Sequence, residues 1–379
     1  MVAPKLTSTG VSIFSVMSRL ADEHGAINLS QGFPDFECDP DLVDAVTRHM
    51  RAGHNQYAAM PGVLALREAL SHKIEFLYGR RYDPATEITV TSGATEGLYS
   101  ALTALVRPGD EVVLLQPAYD SYLPVIQLSG GTPVFVTLRG PHYRVDWDDV
   151  RRAVGARTRA IVVNSPHNPT GMVFDADDIR ALSSVLQGTD AVVVADEVYE
   201  HMVFDGRRHE SLARYPEIAE RAVIVSSFGK TYHTTGWKVG YCAAPRSLSA
   251  EVARVHQFVT YAVNGAIQRA YAEWVLRDPG ATDVMPFYQA KRDRFLSLLE
   301  GSRFRPLPCA GTYFQMLDYS PITSESDSDF ALRLLREYGV AAIPVSPFLT
   351  GADPGPVLRF CFAKRDETLE RAAERLRKV

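Results

Sequence analysis

Ser226-Ser227-Phe228-Gly229-Lys230-Thr231-Tyr232-His233-Thr234-Thr235-Gly236-Trp237-Lys238-Val239-Gly240 decides how this chain of 379 residues is read. The β-branched run Ala222-Val223-Ile224-Val225 leads into it. That run has the composition of a buried strand, and the hydroxyls, glycines and lysines after it mark an irregular turn. Glycine there lets a backbone or a ligand approach closely. Lysine differs from arginine in that burial readily shifts its pKa and frees a nucleophilic amine. A lone lysine is ordinarily a solvated surface residue, so the stretch gains weight only if other chemistry converges on it.

Two other residues converge by topology. Residues 160–165 read as a strand that enters the loop Pro166-His167-Asn168-Pro169-Thr170-Gly171, where prolines and glycine force irregular backbone. Residues 191–195 are a continuous apolar run, the mark of a strand buried on both faces. It ends in Asp196-Glu197-Val198-Tyr199-Glu200. Asp196 there is either a helix N-cap or a buried carboxylate that requires a cation or a donor. Helical patterns at 177–186 and 211–221 separate the three strands, which is βαβ organisation. Ligands of open α/β sheets bind beyond the carboxyl ends of the strands. Asn168, Asp196 and Lys230 therefore fall on one site.

The remaining pattern is consistent with that layout. Residues 87–91 form a strand pattern followed by Ser92-Gly93-Ala94-Thr95-Glu96-Gly97 and a helix with Leu98, Ala101, Leu102 and Leu105 inward. A glycine turn that opens a helix presents free N–H groups and favours an anion, although a capped helix without ligand has the same pattern. The strand at 111–115 ends near Tyr119, which either packs or stacks on a planar ligand, and 133–137 is another strand. Upstream, Gln31-Gly32-Phe33-Pro34-Asp35-Phe36 reads as a loop. Val63, Leu66, Leu70, Ile74 and Leu77 make one helical stripe just after Tyr57. Downstream, 241–244 reads as a strand, 251–276 as largely helical and 291–299 as a helix after Pro286. The patterns at 311–317 and 357–362 are strands. Arg359 lies on the face opposite Leu358, Phe360 and Phe362. An arginine so flanked requires an anionic partner, structural or substrate. A last helix from Asp366 turns Leu369, Ala373 and Leu376 inward.

Composition excludes several classes. Apolar residues make up 46% and the formal net charge is −5, so no nucleic acid or membrane surface held by charge is expected. Cys38, Cys242, Cys309 and Cys361 form no C-x-x-C pair, which suggests neither a zinc site nor a disulfide framework, and fits a reducing, cytoplasmic compartment. Met1-Val2-Ala3-Pro4-Lys5 begins no long apolar region, so no signal peptide is expected. No metal site is expected.

From the Gln31–Phe36 loop to Arg359 the chain resembles the class I aminotransferases of fold type I, which depend on pyridoxal 5′-phosphate. The carrying strings are Ser226 to Gly240, Asn164-Ser165-Pro166-His167-Asn168-Pro169-Thr170-Gly171 and Asp196-Glu197-Val198-Tyr199-Glu200-His201. In detail they look like the methionine and kynurenine/glutamine aminotransferases. The resemblance implies an α/β fold, with a large domain at 46–276 built on a mostly parallel sheet. A smaller α+β domain would combine 1–45 with 277–379. It implies that Lys230 carries the cofactor covalently and then serves as general base, and that Asp196 faces the ring nitrogen. Tyr119 would stack on the ring, and Tyr199 and Asn168 would bond its oxygen. Gly93, Ala94, Thr95, Ser227 and Lys238 would hold the phosphate, with Tyr57 of a second subunit in a homodimer that shares its sites. Arg359 and Asn168 would take the substrate carboxylate, with Gly32, Phe14 and Phe33 around the substrate. The implied reaction moves an amino group from a large uncharged amino acid (methionine, aromatic, kynurenine or glutamine) to a 2-oxo acid. The competing chemistry on the same cofactor is β-elimination from cysteine S-conjugates.

Overall fold

The computed structural model describes residues 5–6 and 10–379. The expectation about a signal peptide rests largely on residues 1–4, outside the described residues. Seven strands form the main sheet, in the order Ile88–Thr91, Gly240–Ala243, Ala222–Ser227, Val192–Asp196, Thr158–Asn164, Glu111–Gln116, Thr132–Thr137. Gly240–Ala243 runs antiparallel to both neighbours, and every other pairing is parallel. Six strands thus share one direction, and their carboxyl ends share one edge.

Side chains alternate across this sheet as strand geometry requires. Val193, Ala195 and Ile224 pack with Leu66, Leu70 and Leu182 on one face. Val192, Val194, Val223 and Val225 pack with Leu98, Ala101 and Leu102 on the other. The continuous apolar run is therefore a strand covered on both sides. A second, antiparallel sheet contains Ile343–Pro344, Val357–Cys361, Phe314–Asp318 and Arg305–Pro306. Leu317, Leu358 and Phe360 share a core with Met17, Leu334 and Leu369 from the helices Ile13–His24, Asp327–Tyr338 and Asp366–Leu376. Tyr199 and Met202, just past the Asp196 strand, also pack into that core.

Several boundaries differ from the sequence reading. The helix expected near Thr95 begins at Gly93 and runs to Leu105, because Gly93 adopts φ +75 and turns the chain straight into it. The 211–221 pattern yields only the short turns Leu212–Arg214 and Pro216–Ala219. The 251–276 pattern is two helices, Arg246–Val259 and Gly265–Arg277. Helix Val284–Leu298 contains Pro286 in its first turn, where no intrahelical N–H bond is forfeited. The division expected after residue 45 falls inside helix Pro40–Arg51, whose Leu42, Ala45 and Val46 all join the large-sheet core.

Gly240 fixes how the glycine turn meets the sheet. A Cβ on it would lie 2.7 Å from the Ser226 carbonyl oxygen and 2.8 Å from the Ala94 nitrogen. Those are backbone atoms that cannot swing aside. Gly240→Ala is expected to cost about 1–3 kcal/mol, read as a lowered denaturation midpoint with an unchanged slope. An unaltered midpoint would show that the turn has slack here.

Candidate active site

The shared strand edge opens on a cavity of about 440 Å³. Its wall includes Phe14, Gly32, Phe33, Gly93, Ala94, Thr95, Tyr119, Asn168, Asp196, Tyr199, Ser227, Lys230, Lys238 and Arg359. Every site residue expected from sequence is therefore on the cavity wall except Tyr57. That tyrosine is 86% exposed and meets Tyr261 edge to face at 5.6 Å.

Lys230 lies in the helical turn Phe228–Thr231 that continues strand Ala222–Ser227. Gly229 lets this turn fold back, since a Cβ there would stand 2.9 Å from Thr235 Cα. Lys230 Nζ donates to the Gly32 carbonyl at 3.2 Å and lies 5.4 Å from the Tyr313 ring centre and 5.9 Å from that of Tyr199. Burial, with the nearby charges of Lys238 and Arg359, lowers its pKa to about 8. The Gly32 carbonyl also accepts from Tyr313 Oη at 2.5 Å. A side chain at Gly32 would collide with Phe314, 2.6 Å from the Cβ position.

Asp196 ends its strand at 4% exposure. It caps no helix. Its Oδ1 accepts from Val198 N at 3.2 Å and its Oδ2 from Tyr122 Oη at 2.7 Å. Burial outweighs these bonds and raises its pKa to about 6. Asn164 Nδ2 donates to the Asp196 carbonyl at 2.9 Å, and Asn164 Oδ1 accepts from Asn168 N at 2.8 Å. The two loops are thereby tied together. Tyr199 is buried, edge-on to Tyr313 at 5.2 Å, and burial raises its pKa. Burial and neighbouring Asp120 raise that of Tyr119 to about 12.

At the anion end, helix Gly93–Leu105 starts at the cavity with its first N–H groups. Lys238 is held in the left-handed region, φ 52 and ψ 55, which is strained for a residue with a side chain. That conformation brings Nζ to 3.3 Å from where a Gly93 Cβ would be.

Arg359 is 1% exposed. Nη1 donates to Asn168 Oδ1 and Nη2 to the Ser30 carbonyl, both at 2.8 Å. Both partners are neutral, and Nε has none. The guanidinium lies 3.8 Å from the Phe314 ring centre and 5.0 Å from that of Phe14. Burial lowers its pKa to about 10. A desolvated cation without its anion, at a cavity wall, is an anion-binding group in waiting.

Sequence reasoning missed Asn164, Thr235 and Phe314 on the wall, and Tyr122 behind Asp196. Asn164 opens the string that singled out Asn168, so its place was visible in the pattern. Phe314 read as ordinary strand core, and nothing local distinguishes it.

The chain matches the model of "Aminotransferase class I and II" over residues 24–376. It belongs to this family. Aminotransferases of the family depend on pyridoxal 5′-phosphate, and this chain is a pyridoxal-phosphate-dependent aminotransferase acting on amino acids and 2-oxo acids. It is 49% identical to the methionine aminotransferase of Escherichia coli, over 99% of this chain and 97% of that one. It is 39% identical to a probable N-succinyldiaminopimelate aminotransferase of Mycobacterium tuberculosis, over 99% and 98%. It is 35% identical to a kynurenine–oxoglutarate transaminase of Dictyostelium discoideum, over 98% and 95%. A crystal structure of an Escherichia coli protein, described with a methionine aminotransferase function, superposes at TM-score 0.97 with 48% identity and full coverage of both chains. The site's donor set fits the cofactor. It pairs an amine of lowered pKa with a buried carboxylate lacking a close cation, and sets both beside an N–H-rich helix start with a lysine. Among the described residues no helix is long and apolar enough to cross a membrane.

The lowered pKa of Lys230 has a direct consequence. Its neutral fraction rises about tenfold per pH unit up to about 8 and then levels, where an ordinary lysine continues to about 10.4. In cofactor-free protein, labelling by an amine-directed reagent should follow that curve at one site and vanish in Lys230→Ala. A midpoint above 10 would refute the desolvated amine.

Proposed function

We propose that this aminotransferase takes its amino group from large uncharged amino acids, with methionine first and aromatic amino acids, kynurenine and glutamine accepted. The observation that carries the reading is Arg359. It is one buried guanidinium with neutral partners, enclosed by Phe14 and Phe314. It supplies a site for one carboxylate, and the rings beside it supply apolar contact for the rest of the donor. The cavity wall's other cations are Lys230 and Lys238, both engaged by cofactor chemistry in this reading. Relatives named for methionine and kynurenine support it. The relative named for N-succinyldiaminopimelate marks the donor class that the reading must exclude by experiment.

Within this reading Lys230 would hold the cofactor, and its amine would also carry the donor's α-proton. When bound, pyridoxal phosphate supplies the electron sink that makes that proton removable. Asp196 would hold the ring nitrogen and keep it protonated, and Tyr119 would stack on the ring. Tyr199 and Asn168 would hold the ring oxygen. Gly93, Ala94, Thr95, Ser227 and Lys238 would bind the phosphate. Arg359 and Asn168 orient the donor carboxylate, while Gly32, Phe14 and Phe33 close over the donor and exclude water. β-Elimination finds no support in the relatives above, each of which is named as an aminotransferase or transaminase. The four unpaired thiols suit a cytoplasmic enzyme.

The working species in this reading is a homodimer. Tyr57 and Phe258 are 86% and 85% exposed, and Val259 and Tyr261 are 51% and 47% exposed. Large apolar side chains left exposed support an interface here, and Tyr57 of the partner subunit would complete the phosphate site. Analytical ultracentrifugation should give a dimer, and Tyr57→Phe should weaken cofactor retention by about tenfold for one lost phosphate bond. A fully active monomer would defeat this arrangement.

Donor choice is tested by kcat/KM with a common 2-oxo acid acceptor. Methionine and phenylalanine should exceed aspartate by at least about a hundredfold, since a second carboxylate would be buried without a partner. Spread among the apolar donors should be smaller, because one methylene changes little. A preference for aspartate or for an N-succinylated diamino acid would overturn the donor assignment and leave the reaction class standing.

A further inference from the structure

Behind the cavity lies a second cluster of charges that touches no substrate or cofactor position. Glu200, 6% exposed, follows Tyr199 directly. Its carboxylate accepts four hydrogen bonds from three segments. Oε1 accepts from Lys73 Nζ at 2.7 Å, Ser226 Oγ at 2.8 Å and Tyr241 Oη at 3.2 Å. Oε2 accepts from Tyr78 Oη at 2.7 Å. Lys73, 5% exposed, also donates to Tyr241 Oη at 3.3 Å. His201 Nε2 stands 4.0 Å from Oε1. Beside this group, Glu197 accepts from Leu212 N at 3.0 Å and pairs with His209 Nε2 at 3.0 Å.

The placement of Glu200 is unusual for a merely structural ion pair. On its own segment it is adjacent to Tyr199. Through Ser226 it grips the residue adjacent to Ser227, four positions before Lys230. Through Tyr241 it reaches the neighbour of Gly240, which packs on the start of helix Gly93–Leu105. Lys73 and Tyr78 anchor the whole to helix Leu64–Tyr78. One buried carboxylate thus links the segments that present the ring-oxygen group and the anion-binding groups. A buried pair is poor evidence of stability, because desolvating both charges cancels most of their attraction. Specific geometry is the better-supported reason to keep one.

We infer that Lys73 and Glu200 are positioning residues of the cofactor site, setting the separation between Tyr199 and the Ser227–Lys230 segment through the hydrogen bonds of Ser226 and Tyr241. The inference rests on the cofactor site described above and is independent of the amino donor. Neither side chain lines the cavity.

The test compares the double variant Lys73→Met/Glu200→Gln with wild type. Removing both charges together leaves no uncompensated buried ion, so the fold should persist. Three quantities are read: Tm of the cofactor-free protein, Kd for added pyridoxal phosphate, and kcat of the reloaded enzyme. The expected result is a Tm within a few degrees of wild type, with Kd raised and kcat lowered by about tenfold each, the scale of one charge-assisted hydrogen bond. Wild-type Kd and kcat at wild-type Tm would overturn the proposal, and so would losses matched by an equally large fall in Tm. If the double variant does not fold, Ser226→Ala decides. It removes the hydroxyl that reaches Glu200 and the Glu197 carbonyl and leaves the ion pair intact, so it should weaken pyridoxal phosphate binding about threefold with Tm within a few degrees of wild type, and an unchanged Kd would overturn the proposal. Should wild-type protein itself fail to bind pyridoxal phosphate, the cofactor assignment falls and not merely this inference.

Discussion

Charge without a matching countercharge is the constraint on which this site depends. Asp196, Lys230 and Arg359 are all desolvated, and the close hydrogen-bond partners of each are neutral. Desolvation moves each pKa toward the neutral form, to about 6 for Asp196, about 8 for Lys230 and about 10 for Arg359. Holding three such groups open costs stability. The two packed cores must offset that cost, and the large sheet does so with strands covered on both faces. A ligand that brings a cation to Asp196 and a carboxylate to Arg359 recovers what folding gave up. Binding energy is thereby directed to the points where charge was left unmatched.

Topology explains why those groups can meet at all. Asn164, Asp196 and Ser227 end three adjacent parallel strands. The reversed strand Gly240–Ala243 begins at the same edge, one residue after Val239 and two after Lys238. That single reversal returns the chain past the helix start, where Lys238 Nζ lies beside Gly93. The second core supplies the remaining wall, because Arg359 and Phe314 come from its antiparallel sheet. The cavity is accordingly a seam between two packing groups, and residues 30–33 bridge it. Ser30 and Gly32 offer their carbonyls to Arg359 and Lys230 respectively.

Most of this arrangement was legible in the sequence, for identifiable reasons. Apolar β-branched runs located the parallel strands, and their polar ends named Asn168, Asp196 and Lys230, since strand direction alone fixes which ends coincide. Arg359 was legible because a charge between apolar neighbours on a strand has few explanations. Tyr57 was named from resemblance, and the chain leaves it on the surface; only the homodimer proposed above would give it a place at a site, and no local pattern encodes a second subunit. Phe314 and Tyr122 were illegible for another reason. Aromatic residues in a strand or helix pattern look like core, and only the three-dimensional approach of Phe314 to Gly32 and Arg359 sets it apart. The helical pattern at 211–221 misled because it is broken by Pro216, which begins a new turn and does not continue the old one.

The contrast between Lys73 and Lys230 shows how little the residue type decides. Both are lysines on helical segments beside the large sheet; Lys73 is buried, and Lys230 is half-buried at the cavity wall. Lys73 has a carboxylate at 2.7 Å: the lysine, with His201 and the hydrogen bonds of Tyr78 and Lys73, holds Glu200 well below the usual carboxylate range against the opposing effect of burial. Lys230 has a backbone carbonyl at 3.2 Å and aromatic rings, and its amine is released toward the neutral, nucleophilic form. Exchange the surroundings and the chemistry would move with them. An amine of lowered pKa is therefore defined by a missing carboxylate as much as by the amine itself, and the Asp196 carboxylate is engaged instead by Tyr122 and the Val198 N–H. Those two neutral donors keep the acid and the amine of one site from collapsing into an ion pair, which leaves each free for the separate role that the function proposed above would give it.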